Sequence, residues 1–136
     1  MLAPKRQKHR KQFRGIWRKF AVKGERLNFG SFGLKSLVPG WIKDREIEAA
    51  RVVFARATKK AGKFWIRIFP DKPFTKKPPE VTMGAGKGDV AYFVASVTPG
   101  KILFELDGLN KEESILVLEN VASKLSVKTK IVHKQL

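Results

Sequence analysis

Eight Lys or Arg residues and no acid stand within residues 1–19, and a glycine loop with one lysine, Met83-Gly84-Ala85-Gly86-Lys87-Gly88, lies far downstream. Both patterns suit one chemistry, contact with phosphate. Lys and Arg side chains displace condensed counterions from a polyanion, and glycines let backbone N–H groups approach one closely. Over residues 1–25, Pro4, Gly15 and Gly24 interrupt any helix, and Phe13, Ile16, Trp17 and Phe20 are interleaved with the cations. Aromatic rings so placed either stack on unpaired bases or anchor an arm to its domain, and for Trp17 both readings stand. The arm's candidate nucleic-acid contacts are Lys5, Arg6, Lys8, Arg10, Lys11, Arg14, Trp17 and Arg18. With few apolar anchors, this arm is expected to be disordered in the free chain and ordered on RNA.

Other chemistries find no support in the residue types. A phosphate-binding loop of nucleotide hydrolases requires G-x-x-x-x-G-K-[ST]. Here no glycine stands five before Gly86, and Gly88 replaces the Ser or Thr that would hold magnesium. The chain has no Cys, so it has no disulfide, no thiol nucleophile and no Cys-based zinc site. Its two histidines, His9 and His133, fall in the two tails, which leaves no credible Ser-His-acid arrangement. The acids Asp44, Glu46, Glu48, Glu112 and Glu113 lie in helix first turns, where the helix dipole accounts for them. No enzyme activity, cofactor, metal or small-molecule substrate is expected. No apolar run approaches the roughly 20 residues of a membrane span, and the basic start lacks a signal peptide's apolar core.

The formal net charge is +17, and its excess is uneven. Residues 1–98 hold 23 basic and 7 acidic side chains, whereas residues 99–136 hold 6 and 5. A chain this basic repels itself when compact, and a polyanion relieves that repulsion. The alternative, a merely soluble surface, rarely needs such a surplus.

At 136 residues, the elements that must position these groups fit one domain, residues 26–136, behind a basic arm, residues 1–25. Residues 27–38 read as a strand pair or a bulged strand, followed by a Pro39-Gly40 turn. A first helix is predicted over residues 43–61, with Asp44 as N-cap and Ile47, Ala50, Phe54 and Ala57 facing inward. Arg51, Arg56, Lys59 and Lys60 occupy its outer faces. Residues 64–69 alternate apolar residues on both faces, which predicts a central strand. A proline-rich basic loop follows, then a strand starting at Val81. Residues 90–97 and 102–106 read as a hairpin pair. Asn110 and Glu113 form a capping box for a second helix with Ile115, Leu118, Val121, Ala122 and Leu125 inward, and residues 127–132 form a last strand. The fold class is α+β, a mixed or antiparallel sheet sandwich with two packed helices. Lys35, Arg67 and Lys72 complete the candidate RNA contacts, with Thr82, Met83, Gly84, Ala85, Gly86, Lys87 and Gly88 as a second, loop-borne group.

Several runs occur in a fixed order: Pro4-Lys5-Arg6, Phe29-Gly30-Ser31-Phe32-Gly33-Leu34-Lys35, Ile47-Glu48-Ala49-Ala50-Arg51, Trp65-Ile66-Arg67-Ile68-Phe69-Pro70-Asp71-Lys72-Pro73, Met83-Gly84-Ala85-Gly86-Lys87-Gly88 and Pro99-Gly100-Lys101-Ile102-Leu103. Over residues 1–132 the chain closely resembles the bacterial-type ribosomal protein number sixteen of the large subunit. The resemblance implies a hammerhead-like fold, binding to large-subunit rRNA near the aminoacyl (A) site, contact with A-site tRNA and neighbouring ribosomal proteins, and a part in late subunit assembly. It implies no catalysis, and a place in the ribosome, in the bacterial cytoplasm or alternatively in an organelle. The loop departs from the family, which often carries Arg where this chain has Thr82, and Lys or Ser where it has Ala85. Lys87 is therefore the loop's only cation. The alternative reading is a basic RNA-binding or assembly factor outside the ribosome.

Overall fold

The computed structural model describes residues 2–15, 23–77, 84 and 86–134. Among them are seven strands and two helices: β1 Phe32–Ser36, β2 Gly40–Lys43, α1 Asp44–Ala57, β3 Lys63–Ile66, β4 Lys72–Lys76, β5 Asp89–Val97, β6 Ile102–Asp107, α2 Lys111–Ser123 and β7 Thr129–His133. The strands form two antiparallel sheets, one ordered β3-β6-β1-β7 and one ordered β2-β5-β4. The α+β class agrees with the sequence reading.

The core follows from alternation. β6 pairs Phe104 with Leu34 of β1 and Ile66 of β3, and Leu106 with Phe32 and Phe64, so these residues share one sheet face. Helix α1 covers that face: Phe54 stacks on Phe64 at 5.3 Å and meets Phe104 at 5.4 Å. Ile47, Ala50 and Phe54 are buried, as their helical spacing requires, while Ala57 is half-buried. In α2, Leu118 and Val121 reach the core and Ala122 and Leu125 flank it half-buried, with Val117 beside them, whereas Ile115 is half-buried but does not pack against the core cluster. The second sheet adds Ile42, Ala95 and Val97 to the same core.

Several expectations are corrected. Residues 90–97 and 102–106 do form strands but not a hairpin. After Val97 the chain turns at Gly100 and leaves for the other sheet, where Gly100 N–H donates to Ser36 O and Ser36 N–H to Lys101 O. β6 is buried on both faces, and it satisfies both its edges between β3 and β1 instead of beside β5. β3 is an edge strand, not a central one. Its two apolar faces have separate covers, α1 over Phe64 and the segment before β1 over Trp65, which stacks on Phe29 at 5.8 Å. The Pro39-Gly40 turn runs directly into β2, which the sequence reading missed. The proline-rich stretch likewise contains β4, whose Pro73 is tolerated because β4 is a sheet edge that can spare an N–H. The predicted strand at Val81 lies outside the described residues.

Helix α1 begins one residue later and ends earlier than predicted. Its N-cap is Lys43, not Asp44, and Glu46 Oε2 accepts the Lys43 N–H at 2.7 Å. Asp44 is instead the first helical residue, its Oδ1 accepting the Arg45 N–H at 2.8 Å. Asn110 does cap α2, accepting the Glu113 N–H at 2.8 Å. His133 lies in β7 and not in a loose tail; its ring tilts against Phe32.

Candidate nucleic-acid interface

β4 and β5 are adjacent antiparallel strands closed by the pair Lys76–Asp89, so the glycine loop is the tip of a hairpin. Within it, Gly84 and Gly86 have φ of 93° and 105°, and a Cβ on either would meet nothing within 4 Å. The backbone there is open and held in a form that favours glycine. Gly88 is tight for another reason: an added Cβ would lie 2.9 Å from Lys76 O.

The basic arm, 58 to 76 residues away in sequence, meets this hairpin. Lys11 Nζ donates to Lys87 O at 3.1 Å, and Lys87 Nζ donates to Gln12 O and sits 5.5 Å from the centre of the Phe13 ring. Further along, Lys72 Nζ donates to Arg14 O at 2.5 Å, the Arg14 guanidinium lies over Phe74, and Gln7 Nε2 donates to Asp71 O. Residues 2–15 form no helix or strand, and the contacts above are polar or cation–π. Phe13 remains 92% exposed, and Lys5, Arg6, Lys8 and Arg10 are exposed as well. The two sequence features that suit phosphate are thus one surface.

Other predicted residues go elsewhere. Arg51 is engaged on its own helix: its Nη2 lies 2.6 Å from Glu48 Oε1, and that hydrogen bond holds the Glu48 carboxyl below its ordinary value and raises the Arg51 guanidinium. Arg56, Lys59 and Lys60 line a shallow cleft between the helices with Leu109 and Leu116. Lys35 stands in β1 opposite Lys130 of β7. Arg67 is turned inward. Its Nη1 lies 3.2 Å from Oε2 of Glu105, a fully buried carboxylate, and donates to Arg26 O at 2.6 Å. Trp17, Arg18, Thr82, Met83 and Ala85 lie outside the described residues.

Sequence reasoning missed Trp41, Lys43 and Tyr92, which neighbour Lys72 and Phe74 on the second sheet. The signal was available: Trp41-x-Lys43 and Lys72-x-Phe74 each put a ring and a cation on the same side of a strand. Among the described residues, no group of three or more His, Cys, Asp or Glu could hold a metal ion, and no helix is long and apolar enough to cross a membrane.

Residues 4–132 match the family model described as ribosomal protein L16p/L10e. A curated relative, the large ribosomal subunit protein uL16 of Fervidobacterium nodosum, is 52% identical over 132 residues, which span 97% of this chain and 93% of the relative.

Proposed function

The chain belongs to the ribosomal protein L16p/L10e family, and from that membership we propose that its arm and glycine hairpin together grip large-subunit rRNA beside the A site. The family is one of structural proteins of the large ribosomal subunit, and rRNA binding in translation is general to it. The finer reading rests on the junction of Lys11 with Lys87 O and of Lys87 with Gln12 O. Two segments that are each suited to phosphate converge there, so one stretch of RNA backbone can engage both. Residues 1–25 serve as the rRNA-binding arm and residues 26–136 as the domain that carries it. The arm binds through Lys5, Arg6, Lys8, Arg10, Lys11 and Arg14, and Lys72 joins them from β4.

The open hairpin tip with Lys87 is the part that approaches A-site tRNA and supports late assembly. Neighbouring ribosomal proteins and rRNA in the cytoplasmic ribosome are its partners. Arg67 stays a candidate RNA contact whose guanidinium also serves Glu105.

Replacing Lys5, Arg6, Arg10 and Arg14 with Ala tests the reading. RNA affinity should fall and its log–log salt slope should flatten by about 0.7–0.9 for each phosphate no longer neutralised. The wild-type protein should also stay with large subunits through a high-salt wash. An unchanged slope would mean these side chains face solvent, and loss of the wild-type protein in the wash would favour an extra-ribosomal factor.

A further inference from the structure

Helices α1 and α2 present facing stripes that the core does not use up. Val53, Arg56 and Ala57 of α1 stand at positions i, i+3 and i+4, as do Glu113, Leu116 and Val117 of α2. Two shallow clefts, of about 520 and 360 Å³, open between these stripes. They share Arg56, Ala57, Leu116 and Val117, so they are one continuous groove. Val53, Leu109 and Val117 pack inward on the core cluster and form its floor. Leu116 rises beside that floor and is 66% exposed.

The two walls differ in charge. Arg56 lies in the last turn of α1, with Lys59 and Lys60 just beyond it, and all three are exposed. The ion pairs among the described residues are Arg51–Glu48 and Arg67–Glu105, so none of these three cations meets an acid there. The α2 wall is the reverse: residues 111–123 hold Glu112, Glu113 and Glu119 against Lys111 alone. A nucleic-acid strand laid in the groove would face those carboxylates. Among the described residues, no aromatic side chain lines the groove to receive a base.

We infer that this groove takes a short amphipathic helix of another protein, apolar along one side and acidic along the edge that meets Arg56, Lys59 and Lys60. Charge complementarity sets the acids, since the unpaired cations stand on one wall only. The apolar floor and Leu116 set the stripe, at the spacing with which helices fill grooves. Along α2 the groove runs from Glu113 to Asn120, about 10 Å, which accommodates roughly two helical turns of a partner. The site shares no residue with the arm or the glycine hairpin, so it stands or falls apart from the RNA reading.

The full-length protein is titrated with two synthetic peptides of about 20 residues, long enough to hold a helix. One carries Leu at i, i+3, i+4 and i+7 with Glu beside them, and the other is the same composition scrambled. Both have the charge that attracts a chain of net +17, yet the scrambled peptide should bind about tenfold more weakly, the scale of one leucine's burial. Leu116→Gln should weaken the patterned peptide by about the same factor and leave affinity for a short RNA duplex unchanged. Joint Lys59→Glu and Lys60→Glu should weaken the patterned peptide and flatten its salt dependence. Melting curves identify any variant that does not fold, and if Leu116→Gln is one, the lysine variant decides. Equal binding of the two peptides overturns the site. Leu116→Gln weakening RNA but not the peptide overturns it in favour of RNA, and a wild-type dimer lost in Leu116→Gln overturns it in favour of a second copy. A protein that binds the patterned peptide but no RNA leaves this site standing and sinks the RNA reading alone.

Discussion

Glu105 is a linchpin inside the molecule. Its Oε1 accepts the N–H groups of Asn28, Phe29 and Gly30 at 2.9, 2.9 and 3.1 Å, and its other oxygen faces Arg67. One carboxylate thus fixes the segment that enters β1 and covers the sheet face opposite α1. Replacing it with Ala leaves three donors and a largely buried guanidinium without their acceptor. Urea denaturation of Glu105→Ala should show destabilisation by about 3–5 kcal/mol, as for a broken buried pair. Arg51→Ala should leave the melting temperature nearly unchanged, because its ion pair with Glu48 is solvent-exposed. Lys87 is the opposite kind of residue, exposed, with its ammonium on the arm's Gln12 O and over the Phe13 ring. Lys87→Glu should hardly move the melting temperature, exposed changes usually costing under about 0.5 kcal/mol. It should slow A-site tRNA accommodation or subunit maturation, because a carboxylate would then face phosphate. Normal assembly and translation rates in Lys87→Glu ribosomes would sink the hairpin's proposed role.

At the scale of elements, β1 is the most constrained strand. It lies between β6 and β7 in the four-stranded sheet, and its Gly33 sits across from Glu105. A Cβ at Gly33 would come within 2.5 Å of Leu27 Cδ2 and 2.8 Å of Phe104 O. Backbone cannot yield as a side-chain end can, so Gly33→Ala should destabilise by about 1–3 kcal/mol, the usual cost of overpacking a core. Thermal melts of Gly33→Ala beside wild type measure it, and an unchanged midpoint would mean that β1 shifts freely. The glycines of the hairpin tip differ, since Gly84 and Gly86 are held by their positive φ and not by neighbours. The two helices were the most legible elements, because apolar spacing and the Asn110 cap are local signals. The strands were legible as strands, but their partners were not.

Across the whole molecule, charge opposes compaction and the arm is where the opposition is least contained. Six cations fall within residues 5–14, joined to the domain by a few polar and cation–π contacts. Such contacts open readily in water, and a bound polyanion supplies the missing counter-charge. Limited trypsin digestion of the free protein should therefore cut first after the exposed Lys8, Arg10 and Lys11, and bound rRNA should protect these bonds. Equal resistance in both states would show that the domain alone secures the arm.

Local chemistry lay in the sequence itself: the cationic arm, the glycine loop with its single lysine, two helices and the long motifs that carry family membership. Those depend on residue types at short spacing, which a chain states directly. Tertiary structure alone decided that β6 joins β1 and β3 instead of β5 and that Arg67 serves Glu105. It also brought the arm onto Lys87 and aligned Trp41, Phe74 and Tyr92 on one sheet face. Alternation tells which faces of a strand are apolar, but outside proline the backbone N–H and C=O groups are alike at every position, so they cannot name a partner. Partnership is settled by which arrangement buries all the apolar faces at once, a condition on the whole chain.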